Sequence, residues 1–102
     1  YYTPSDLTQF FQQYVTFGNF NVSVEVVGQN NPNAPGDEAS LDIQYIMGVA
    51  PNIPTYFYSI PNFDFWSDLV QWTNNLANDA NAPWVHSVSY GDQSESDQPS
   101  SD

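Results

Sequence analysis

The 102-residue chain has no Lys, no Arg and no Cys, one Met and one His, set against 12 Asp plus Glu, for a formal charge of −12 at pH 7. Nucleic acids and anionic membrane surfaces are gripped by Lys and Arg, so both are excluded as partners. The absence of Cys removes disulfide frameworks and thiolate metal sites and says little about compartment. No apolar run approaches the roughly 18 residues of a membrane span. The opening Tyr1-Tyr2-Thr3-Pro4 lacks the basic-then-apolar pattern of a signal peptide, which puts any targeting segment outside this chain. The five glycines are scattered and none precedes a Lys, so there is no phosphate-binding loop. Missing cations have two readings: adaptation to an acidic milieu, or a piece of a longer chain bounded by sites cut after Lys or Arg. The polar stretch from Gln93 to Asp102 favours the piece.

What is present suits one ordinary domain at most. Hydrophobic residues make up 40% and aromatics 17%, in short bounded runs, which argues against disorder along most of the chain. Thr3 is placed as the N-cap of a first helix, with Pro4 at its first position and Asp6 near the positive end of the dipole. Leu7, Phe10, Phe11 and Tyr14 recur at helical spacing, and Gly18 ends the element. Val22, Val24 and Val26 alternate with Ser23 and Glu25, a strand with one buried face. Residues 28–36, rich in Asn, Pro and Gly, form a loop. A helix over 38–47, a strand over 53–60, a helix over about 64–78 and a strand over 84–90 follow. Strands joined by helices predict an α/β fold with a parallel sheet. Residues 93–102 read as an acidic, disordered tail.

One feature of residues 38–47 is chemically odd. At 100° per residue Glu38 and Asp42 lie side by side, flanked by Leu41 and Tyr45 on one hand and by Ala39, Ile43 and Ile46 on the other. This arrangement predicts that both acids turn inward with the core. Like charges at i and i+4 cost a few tenths of a kcal/mol on an exposed helix, and burial adds desolvation. Two carboxyls about 3 Å apart share a proton and suit acid or base work at low pH. Service to the helix dipole explains Glu38 equally well, but Asp42, a full turn further in, less well.

The stretch Gly36-Asp37-Glu38-Ala39-Ser40-Leu41-Asp42-Ile43-Gln44-Tyr45-Ile46-Met47 resembles the helix of the sedolisin family, the serine-carboxyl peptidases, that carries the Glu and Asp of a Ser-Glu-Asp triad. Ser5-Asp6-Leu7-Thr8-Gln9-Phe10 and Val85-His86-Ser87-Val88-Ser89-Tyr90-Gly91-Asp92 are similar to further segments of those enzymes, in the same order. The resemblance thus spans nearly the whole chain. It implies a subtilisin-like fold, a parallel sheet with helices on both faces, of which residues 1–92 would be part. Glu38 would be the general base that accepts the serine proton. Asp42 would hydrogen-bond Glu38, orient it and share its proton. Ser89, Tyr90 and Gly91 would line the substrate cleft. Peptide substrate and the rest of the catalytic domain would be the partners, at acid pH, in lysosomes or outside cells. The family nucleophile lies in a Gly-Thr-Ser motif and its oxyanion-stabilising Asp in a Ser-Gly-Asp motif, and neither occurs here. The family's Ca²⁺ site, near its C-terminus, is also absent, so no cofactor is expected in this chain. Without a nucleophile the chain alone is expected to hydrolyse no peptide.

Other candidates carry less. His86 falls by alternation with Trp84, Val88 and Tyr90 and reads as a packed strand residue. Asp92, Glu95 and Asp97 do not have the spacing of an EF-hand loop. Asn21-Val22-Ser23 is a glycosylation sequon, compatible with a secretory or lysosomal route. The aromatics Tyr56, Phe57, Tyr58, Phe63, Phe65 and Trp66 read as core packing of a strand and a helix. A second expectation competes with the enzyme reading. Strands cut from a larger sheet leave open edges, and residues 22–27, 53–60 and 84–88 have the character of cross-β segments, so the chain could instead self-associate into an all-β filament.

Overall fold

The computed structural model describes residues 1–60 and 64–91. The order of elements is α1 (Pro4–Tyr14), β1 (Glu25–Val27), α2 (Asp37–Val49), β2 (Tyr56–Tyr58) and α3 (Phe65–Ala77). The backbone through Ala39 to Met47 is helical, so the cross-β form is not the conformation of this structure. Two compact units account for the described residues, one built from Tyr1–Ser59 with Ser87–Ser89, the other from the described parts of Ile60–His86 and Tyr90–Asp102.

In the first unit, Pro4 presets the first turn of α1 and Asp6 meets its positive end. Thr3 has the extended backbone of an N-cap but makes no side-chain cap; its hydroxyl donates instead to the Pro32 carbonyl at 2.6 Å. That bond belongs to a set fastening the chain start to the 28–36 loop. The Tyr2 amide donates to Asn30 Oδ1 at 3.0 Å, Asn30 Nδ2 donates to the Tyr2 carbonyl at 2.8 Å, and the Gly36 amide donates to the Tyr1 carbonyl at 3.0 Å. The helix ends at Tyr14, with Val15 as its C-cap, ahead of the expected stop at Gly18.

β1 and β2 pair in parallel with Val26 opposite Phe57, and α2 connects them, which bears out the parallel pairing expected from the alternation. Both strands are shorter than expected, three residues each in place of 22–27 and 53–60. Val22 and Val24 pack on the core without joining the ladder. Tyr2, Leu7, Phe11, Val15, Ile43 and Met47 form that core, so α1 and α2 are joined through residues at i, i+4 spacing. α2 buries Ala39, Ile43 and Met47.

A third strand over 84–90 was expected and does not form; among the described residues the sheet has two strands. Trp84 is 98% exposed, and the amide of Ser89, which a ladder would need, donates to a side chain instead. In the second unit α3 is capped by Asp64, whose carboxylate accepts from the Ser67 amide at 3.3 Å and from the Ser67 hydroxyl. His86 is exposed and meets the Trp72 ring edge-on at 5.4 Å, which corrects its placement inside a packed strand. Phe63, Asp92, Glu95, Asp97 and the tail expected over 93–102 lie outside the described residues.

Candidate active site

α2 carries both acids, and its roll about its own axis decides how each is presented. The buried residues Ala39, Ile43 and Met47 are centred on Ile43; at 100° per residue Glu38 lies about 140° from that centre and Asp42 about 100°. Glu38 is therefore exposed, whereas Asp42, on the shoulder of the buried face, is half-buried. The inward turn expected of both acids holds in part for Asp42 and not for Glu38. Counting Leu41 and Tyr45 as core residues widened the apolar stripe, and both are exposed.

Asp42 receives three hydrogen bonds from a segment 45 to 47 residues further along the chain. The Ser87 hydroxyl donates to Oδ1 at 2.7 Å and the Ser89 hydroxyl to the same oxygen at 2.6 Å. The Ser89 amide donates to Oδ2 at 2.9 Å. Side chains two apart on an extended chain point the same way, so Ser87-Val88-Ser89 presents both hydroxyls together. Ser87 has no role in the reading of the sequence; its visible signal is this Ser-x-Ser spacing. Both polar groups of Ser89 that face Asp42 are thereby engaged. Tyr90 and Gly91, grouped with Ser89 as cleft-lining residues, belong to the other unit; Tyr90 is exposed.

Asn21 is exposed, and its Oδ1 accepts the Ser23 amide at 3.0 Å, an Asx turn across the sequon. The Asn21 amide donates to Oδ1 of Asn52 at 3.3 Å, and Asn52 adopts a left-handed φ of 65° that asparagine tolerates.

Tripeptidyl-peptidase 1 of Homo sapiens is 43% identical to the chain over 100 residues, which is 94% of this chain and 17% of that protein. The Macaca fascicularis protein of the same name matches equally, and that of Mus musculus is 39% identical over 98 residues with the same coverage. The chain matches a segment of a sedolisin-family enzyme. It spans about a sixth of the length of these relatives. No protein-family model matches the chain, and no solved structure matches it. A small parallel sheet with three helices is compatible with an α/β piece of a sedolisin domain.

Proposed function

We propose that the chain supplies the Glu38 and Asp42 carboxyls of a Ser-Glu-Asp peptidase site, with the nucleophilic serine and the oxyanion Asp coming from outside these 102 residues. The observation that carries this reading is the placement of the two acids one turn apart on α2, in a chain 43% identical to a segment of tripeptidyl-peptidase 1. Exposure suits Glu38 to the general base, because a base must reach the serine hydroxyl whose proton it takes as the oxygen attacks the peptide carbonyl. Asp42, anchored by Ser87 and Ser89, suits the orienting partner. The substrate is a peptide, trimmed by tripeptides from its N-terminus or cut internally, with Ser89, Tyr90 and Gly91 at the cleft edge, at acid pH in a lysosomal or extracellular setting. The exposed sequon at Asn21 fits passage through the secretory route, with glycan on that residue. The calcium implied by the family belongs to the intact domain in this reading; among the described residues no group of three or more His, Cys, Asp or Glu could hold a metal ion.

Two measurements test the reading. In a protein that carries this chain together with the remainder of such a domain, Glu38→Gln and Asp42→Asn each lower kcat by about two orders of magnitude or more with folding intact. Near-normal kcat in either variant removes that residue from the triad. The 102-residue chain alone, given a tripeptide-releasing substrate from about pH 3 to 7, shows no turnover. Turnover that Glu38→Gln abolishes would mean that a nucleophile is present after all.

A further inference from the structure

We infer that Ser87 and Ser89 are positioning residues that fix the Asp42 carboxylate and leave one acceptor position on it, at Oδ2, for Glu38; this rests on the triad reading above. An ionised carboxylate offers about four acceptor positions, two on each oxygen. The two serine hydroxyls, at 2.7 and 2.6 Å, take both positions on Oδ1. The Ser89 amide, at 2.9 Å, takes one on Oδ2. An amide N–H can only donate, so Oδ2 acts as an acceptor and carries no proton in the direction of Ser89. The remaining position on Oδ2 can receive one further donor. The side chain of Glu38, the neighbouring acid on the same helix, has no hydrogen bond to the other described residues. A Glu38 carboxyl that has taken up a proton can donate to Oδ2, and the pair is then oriented by three bonds it does not itself contain.

The same geometry changes the role of Ser89. Its hydroxyl and amide both donate to Asp42, so these two groups act through Asp42 and are not donors to a peptide. Helix α2 and residues 87–89 are far apart in sequence and belong to one compact unit.

The test has two arms. In the full 102-residue chain, amide exchange at Ser89, read by NMR, accelerates by about tenfold or more in Asp42→Ala, while the Ile43 amide keeps its protection. Unchanged exchange at Ser89 would overturn the clamp. In the longer protein, Ser87→Ala combined with Ser89→Ala lowers kcat by about tenfold or more with KM within about twofold, whereas Ser87→Thr combined with Ser89→Thr, which keeps both hydroxyl donors, retains it. A raised KM with unchanged kcat would assign Ser89 to substrate contact and overturn the positioning role. Glu38→Gln, measured alongside, separates the two claims. If it abolishes kcat while the serine double variant does not, the inference alone fails; if it leaves kcat intact, the triad reading fails and takes the inference with it.

Discussion

At the scale of single residues the chain contrasts groups settled by burial with groups settled by partners. Tyr2 is 5% exposed, with its ring 4.7 Å from that of Phe57, and burial pushes its phenol above the ordinary 10.0. The unfolded chain loses that proton near pH 10 while the folded one retains it. Stability is therefore unaffected below about pH 10 and declines as pH rises above it, toward the raised value. Tyr2→Phe keeps the ring and removes this contribution. Urea midpoints of the two proteins should run together at pH 7 and separate at about pH 10.5, with Tyr2→Phe the more resistant; parallel midpoints throughout would show that the phenol titrates freely. The two acids of α2 illustrate how far a site can be seen before folding. Asp42 stood out because an acid one full turn inside a helix gains little from the dipole, and its three partners now account for it. The exposure of Glu38 was not visible, because Leu41 and Tyr45 made the apolar stripe look wider than the Ala39, Ile43 and Met47 face that α1 covers.

At the scale of elements, α1, α2 and α3 were readable to within a few residues because apolar spacing is local information: Leu7 and Phe11, Ile43 and Met47 each fall at i, i+4. Strands depend on partners far along the chain. Alternation over 22–27 could not reveal that only Glu25, Val26 and Val27 would meet β2, or that Ser89 would give its amide to a carboxylate in place of a ladder. One position does fix how the sheet ends. Gly28, just after β1, has a φ of 98°, and a Cβ there would lie 2.1 Å from the Ser59 carbonyl oxygen, beside the bond from the Ser59 amide to the Val27 carbonyl at 2.8 Å. An L side chain meets both a disfavoured backbone and a clash with main chain, which cannot swing aside. Gly28→Ala should cost about 2 kcal/mol or more of folding stability in urea titration. A loss below about 0.5 kcal/mol would mean that β1 and β2 can part at this end at little cost.

At the scale of the whole molecule, the composition makes electrostatics one-sided. With 12 acids and no Lys or Arg, only the amino terminus and His86 can bring positive charge, so nearly every interaction between charges at pH 7 is repulsive. Salt normally weakens ion pairs and self-repulsion together, and its net effect on a mixed surface is small. Here the first contribution is almost missing. Screening shortens the reach of repulsion from about 30 Å at 0.01 M salt to about 3 Å at 1 M, which relieves the compact state more than the expanded one, where the charges are already further apart. The melting temperature at pH 7 should therefore rise steadily as NaCl is added over that range. At about pH 3, below the ordinary carboxyl range, protonation has removed most of the same repulsion, because so few positive groups are available to balance the acids, so the rise should vanish. Association should replace it, since β1 is exposed along its whole length and the uncharged chain no longer resists pairing at such an edge. Scanning calorimetry at both pH values, with light scattering on the same samples, reads both effects. A melting temperature that falls with salt at pH 7 would show that attractive pairs involving the amino terminus or His86 outweigh the repulsion among twelve carboxylates, contrary to what this composition requires.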